Sequence, residues 1–182
     1  FYMKVLKIIL LVVVIIIAVP LIAALFVKKD YKVEREVVVN KPIAEVFDYL
    51  KYLKNQDNYS VWAKLDPAMK KEFKGTDGEV GFVSAWESEK EDVGVGEQEI
   101  VAYKDGERVD LKIRFKKPFE SEADAYFTTV AVDSASTKVL WGFSSTMPYP
   151  MNLMTVLMNM DEMIGKDLEG GLNNMKTILE GK

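Results

Sequence analysis

Twenty consecutive uncharged residues, 8–27, nearly all Ile, Leu, Val or Ala, constrain this chain more than any other stretch of it. As a helix rising about 1.5 Å per residue, such a run spans about 30 Å, the thickness of a bilayer's hydrocarbon core. Lys4 and Lys7 precede it, Lys28 and Lys29 follow it, and Pro20 lies within it, where a membrane helix tolerates a proline as a kink. A cleaved secretory signal also starts with lysine and an apolar run. That alternative fits less well, because the apolar core of a signal is roughly 7–15 residues long and ends at a small-x-small site. Here Ala23 and Ala24 lead into Leu25, Phe26, Val27 and two lysines, a stop-transfer pattern. The expected organisation is a single-pass anchor over residues 4–29 and one soluble domain over 30–182. Lys28, Lys29, Lys32 and Arg35 outnumber Lys4 and Lys7, so the positive-inside rule places the domain on the cytoplasmic side of the cell membrane.

Composition removes many functions. The 182 residues include no cysteine and no histidine. Disulfides, thiolate-held zinc, iron–sulfur clusters, thiol nucleophiles, imidazole ligands and the usual general base near neutral pH are therefore excluded. Against 28 acidic residues stand 24 basic ones in no cluster, giving a formal charge of −4 and a poor footprint for nucleic acid. Gly94–Val95–Gly96 lacks the third glycine of a dinucleotide loop, and Gly165–Lys166 stands mid-helix, where it cannot cradle phosphate. No carboxylate spacing matches a Ca²⁺ or Mg²⁺ cage. Neither a cofactor nor a metal is expected, and no catalytic motif is present, so the balance leans away from an enzyme.

The remaining 153 or so residues alternate between two periodicities. Residues 31–39 alternate and then turn β-branched, the pattern of a strand. Asn40 can cap a short helix whose first turn holds Pro42 and whose buried face is Ile43, Val46, Phe47 and Leu50. A loop or short helical turn follows around Trp62. Strands are expected at 70–74, 80–88, 95–103, 107–116, 121–132 and 137–146, punctuated by turn residues; Asp105–Gly106 is the sharpest hairpin signal. Within 108–115, Val109, Leu111, Ile113 and Phe115 share one face and Arg108, Asp110, Lys112 and Arg114 the other, as in an antiparallel sheet covered on one side. From Asn152, apolar residues recur every three or four positions for about seven turns, from Leu153 and Val156 to Met175 and Leu179, predicting one long C-terminal helix.

That order carries a family resemblance. Residues 35–179 resemble the SRPBCC superfamily, which includes the START and birch-pollen-allergen (Bet v 1-like) domains, and specifically its polyketide cyclase/dehydrase-like branch. The matching segments are "VNKPIAEVFDYL" at 39–50, "YSVWAKLDPAMKKEF" at 59–73, "GEVGFVSAWES" at 78–88 and "VGVGEQEI" at 93–100. "FKKPFESEADAYFTTV" at 115–130, "TKVLWGF" at 137–143 and "MNMDEMIGKDLEGGLNNMK" at 158–176 continue it. The resemblance implies an α+β helix-grip fold: a curved antiparallel sheet wrapped around a long C-terminal helix, with an apolar cavity between them that holds a hydrophobic molecule.

In such a fold the aromatic residues expected to line the cavity are Phe82, Trp86, Phe115, Phe127, Trp141 and Phe143. The helix would add Met154, Leu157, Met158 and Met163, within a stretch where seven of the nine methionines lie between Met147 and Met175. Unbranched thioethers suit an irregular apolar ligand, and equally an ordinary helix core. Residues 147–160, apolar and uncharged before Asp161, read as a gate over the cavity, a surface resting on the membrane, or a buried connection. Most strand carboxylates alternate with apolar neighbours and face solvent; Asp124 and Asp161 are the catalytic candidates if there is one, and Tyr126 could orient a ligand. The leading expectation is a membrane-anchored domain binding a hydrophobic small molecule or lipid. Its rivals are a non-catalytic accessory or regulatory subunit of a larger membrane-protein complex, and a cyclase- or hydrolase-like enzyme using a buried carboxylate.

Overall fold

The structure, a computed structural model, describes residues 2–181. Helix α1, Tyr2–Ala24, contains Pro20, and the rest of the chain leaves it uncovered from Ile8 to Ile17 and buries only its last residue, Ala24. Strand β1, Asp30–Val39, leads to α2, Ile43–Leu50. A 3-10 turn, Leu53–Asn55, and two short helices follow, α3 at Gln56–Tyr59 and α4 at Val61–Leu65. Then come β2 (Lys70–Lys74), β3 (Val83–Glu87), β4 (Val95–Lys104), β5 (Arg108–Lys117), β6 (Ser121–Ala131) and β7 (Thr137–Thr146). The chain closes with α5, Leu153–Leu157, and α6, Met160–Glu180.

All seven strands form one antiparallel sheet in the order β1-β7-β6-β5-β4-β3-β2. Two register shifts in β4, between Val95 and Gly96 and between Ile100 and Ala102, are of the kind that sharpens twist and lets a sheet curl. The register defines two ends. At the end next to α1, Asp30 pairs with Thr146, Ala123 with Ser145, Phe115 with Ser121, and Val95 with both Lys117 and Glu87. At the far end lie Val39 with Thr137 and the 104–108 hairpin, turned at Asp105–Gly106.

Alternation sorts the two faces of the sheet. The outer face is a lattice of ion pairs: Arg114 with Glu97 at 3.3 Å and Glu99 at 2.7 Å, and Lys112 with Asp124 at 3.0 Å. The inner face holds Val33, Ile100, Leu111, Ala125, Phe127 and Trp141, which pack with Ile164, Leu168, Leu172 and Met175 of α6. Those spacings of three and four put one helix stripe against the sheet. Gly171 permits the approach, because a Cβ there would sit 2.6 Å from the Trp141 ring. Polar contacts fasten α6 to β1: the Arg35 guanidinium donates to the Asp161 backbone carbonyl at 2.9 Å and the Lys176 ammonium to the Val38 carbonyl at 2.8 Å.

Two local expectations are corrected. Asn40 does not cap α2; Pro42 occupies that position, and the Asn40 backbone N–H donates instead to Glu180 Oε1 at 2.7 Å. The single long C-terminal helix is two helices, because Asn159 takes a left-handed conformation with φ 46°. Asparagine tolerates that region better than most residues, and the apolar spacing of three and four runs straight across the break. Before the break, Asn152 is buried, and its side-chain amide donates to the carbonyls of Ala24 at 2.7 Å and Val27 at 2.8 Å. The first is one of the carbonyls that the end of α1 leaves without a helical partner and the second lies just past it, so α5 is tied to the exit of α1.

Burial raises the pKa of the half-buried Asp167 on α6, with Lys166 partly opposing. A raised folded-state pKa means stability that is fully present below the unfolded value, about 4, and lost as the pH rises through the folded value. Asp167→Asn is therefore expected to be more stable than the parent at neutral pH, by less than about 1 kcal/mol given solvent screening, and to lose that advantage in acid. Urea titrations at several pH values measure the difference.

Candidate ligand cavity

Between the inner face and α6 lies a cavity of about 550 Å³. The sheet contributes Trp86, Leu111, Ile113, Phe115, Ala125, Trp141 and Phe143, and α6 contributes Met160, Met163, Ile164 and Leu168. Helices α3 and α4 close one flank with Gln56, Trp62 and Ala63, joined by Ser60 between them. The wall is predominantly apolar, and the size falls within the range of about 300–1,000 Å³ typical of small-molecule sites.

The wall is held by aromatic packing. Trp141 lies 4.8 Å from the Phe127 ring, 5.9 Å from Tyr59 and 6.0 Å from Trp62, centroid to centroid, the last two edge-on. Edge-to-face contacts of this kind set the quadrupole of one ring against another. Trp86 meets Phe115 edge-on at 6.2 Å, and its indole N–H donates to the Val93 carbonyl at 3.2 Å, which ties the β3–β4 loop to the rim. A small polar group lies on the α3 flank: Gln98 Nε2 donates to Gln56 Oε1 at 3.1 Å, with Ser60 and Ser84 also in the wall.

The cavity opens toward the α1 end of the sheet. Its exposed rim residues are Asp57 on α3, Glu91 and Asp92 before β4, Lys117 at the end of β5, Pro118 and Phe119 in the β5–β6 loop, Ser121 at the start of β6, and Met163 on α6. Met147, just past β7, also contributes; its N–H donates to the Lys29 carbonyl at 2.9 Å.

Of the ten residues expected at the wall, Trp86, Phe115, Trp141, Phe143 and Met163 come together there. Phe82 and Phe127 face inward but are almost fully buried, Phe82 stacked on Phe73 at 6.1 Å and Phe127 behind Trp141. Met154, Leu157 and Met158 lie off the cavity, because the break at Asn159 carries them onto α5 and its C-terminal cap; Leu157 is 68% exposed. Gln56, Ser60, Gln98 and Leu168 are wall residues that sequence reasoning passed over. The only signals were a polar residue on a strand's apolar face and the helix stripe.

The carboxylate candidates stand elsewhere. Asp124 is on the outer face beside Lys112, and Asp161 is an exposed partner of Arg35 at 3.0 Å. Tyr126 is also on the outer face, not in the cavity; its hydroxyl donates to Glu34, and the Arg108 guanidinium lies 4.1 Å over its ring. Burial raises the Tyr126 pKa, and the bond to Glu34 adds to it. Among the described residues no cluster of acidic side chains is arranged to hold a metal.

No protein-family model matches the sequence, and no curated protein is similar to it. Solved structures are. Ara h 8.0201 superposes with a TM-score of 0.54 at 15% identity, over 84% of this chain and 99% of its own. A protein from Mesorhizobium loti gives 0.59 at 14%, over 84% and 98%. The di-domain ARO/CYC StfQ from the steffimycin biosynthetic pathway gives 0.62 at 8%, over 84% of this chain and 51% of StfQ. At such identities the likeness is one of fold. The chain thus has the α+β helix-grip fold of Bet v 1-like and aromatase/cyclase structures, preceded by one apolar helix long enough to cross a membrane.

Proposed function

We propose that this chain is a membrane-anchored binding domain that holds a hydrophobic small molecule or lipid in the cavity between its sheet and α6. The observation that carries this reading is the predominantly apolar cavity of about 550 Å³ in a domain whose outer face is satisfied by ion pairs, with the carboxylates that reach the cavity, Asp57, Glu91 and Asp92, exposed at its rim. Binding is by burial. Each Å² of apolar surface withdrawn from water stabilises the complex by about 25 cal/mol, so a ligand burying about 300 Å² gains roughly 7 kcal/mol before the entropy of association is subtracted.

Helix α1 supports the anchoring half of the proposal. Its side chains from Ile8 to Val19 are open to the surroundings, an arrangement that suits a lipid environment. The excess of basic residues after α1, Lys28, Lys29, Lys32 and Arg35 against Lys4 and Lys7, supports a domain on the cytoplasmic side.

Native mass spectrometry of the full-length protein extracted in a mild detergent tests the reading. The expected result is added mass matching a lipid or small molecule, released on denaturation. A bare monomer after extraction from its own membrane would overturn it, and co-extracted protein subunits would reassign the chain to a larger assembly.

A further inference from the structure

We infer that the cavity is loaded directly from the bilayer: α5 and the β5–β6 loop rest in the leaflet at which α1 ends, with the cavity mouth against lipid. This rests on the reading of α1 as a membrane anchor.

Position is the first ground. Strand β1 starts at Asp30, six residues after α1 ends at Ala24, so the α1 end of the sheet stays within about 20 Å of the membrane helix even with the connection extended. The connection is in fact fastened, by Asn152 to the carbonyls of Ala24 and Val27 and by the Met147 N–H to the Lys29 carbonyl. Segment 147–159 is therefore continuous with the membrane end of α1. The cavity mouth lies at that same end.

The second ground is what this end displays. Met151 is 56% exposed, Val156 62% and Leu157 68%, in a stretch with no charged residue from Met147 to Met160. Phe119, at the tip of the β5–β6 loop and on the cavity rim, is 80% exposed, and Phe26 beyond α1 is 84% exposed. In water these side chains would be an uncovered apolar set at the end of the domain where the cavity opens, beside a rim that also carries Glu91, Asp92 and Lys117. In the interfacial layer of a bilayer they are buried, while the charged groups at this end, Lys28, Lys29, Lys117, Glu91 and Asp92, sit at headgroup level. A ligand dissolved in that leaflet then enters the cavity without crossing water.

The absence of cysteine makes the test direct. Single-cysteine variants of the full chain, Leu157→Cys, Phe119→Cys, Asp105→Cys and Ile15→Cys, are labelled with bimane in phosphatidylcholine nanodiscs and quenched by brominated lipid or aqueous iodide. Labels at Leu157 and Phe119 are expected to be quenched by brominated lipid several-fold more than the label at Asp105, on the far hairpin. Labels at Leu157 and Phe119 quenched only by iodide, with that at Ile15 quenched by lipid, would overturn the docking and leave the anchor standing. Labels there shielded from both quenchers would overturn it in favour of a protein contact. An Ile15 label reached by iodide would remove the anchor and this inference with it.

Discussion

Trp141→Ala is expected to cost the domain about 3–5 kcal/mol, enough to unfold a large part of a marginally stable population. The Trp141 side chain is 5% exposed and meets three other rings, Tyr59, Trp62 and Phe127. It also supports α6 from below, since the Gly171 backbone rests against its ring. Three losses therefore coincide: the transfer energy of the indole, the ring contacts, and the surface on which the C-terminal helix lies. The fully buried Tyr59 would lose its edge-on partner while its hydroxyl, which makes no hydrogen bond, stayed in an apolar setting. Burial already holds the Tyr59 pKa well above the ordinary tyrosine value. Urea denaturation of the full chain in detergent, followed by circular dichroism, measures the loss. A value under about 1 kcal/mol would mean that the aromatic cluster closes over the gap and that α6 is held chiefly by its contacts to β1.

Physical reasons decide what was legible in the sequence. Strand positions came through because turns and period-2 alternation are local: the 104–108 hairpin and the alternating face of β5 follow from a few neighbouring residues. The break in the C-terminal helix was not legible, since a left-handed Asn159 leaves the spacing of apolar residues on either side intact. Leu157 and Met158 thus read as core while they face outward. Alternation likewise tells which face a residue occupies but not how far along the strand the cavity extends. Phe127 and Phe143 share the inner face; Phe143 lies in the cavity wall, and Phe127 lies beneath Trp141. The contribution of α3 and α4 was hidden because helices of four and five residues are too short to show a period. Gln56 reaches the wall through tertiary packing that no local pattern encodes.

The mirror experiment to removing a ring is adding one. Ala125 lies on β6 opposite Leu111 and Phe143, is 3% exposed and contributes to the cavity wall. Ala125→Trp is expected to project an indole into the space where an apolar ligand would lie, at an overpacking cost of about 1–3 kcal/mol. Displacing even 100 Å² of ligand contact removes about 2.5 kcal/mol of burial, roughly a 60-fold weakening of Kd. A dansyl-labelled fatty acid titrated into the full-length protein in detergent reads this directly. Ala131→Trp, at the exposed end of β6, controls for added hydrophobic surface and is expected to leave the titration unchanged. Because filling leaves the dichroism spectrum unchanged and unfolding abolishes it, loss of binding with the sheet intact assigns the binding to the cavity. Undiminished binding by a folded Ala125→Trp protein would place the probe elsewhere, and the cavity would then be only the loosely packed centre of a docking module.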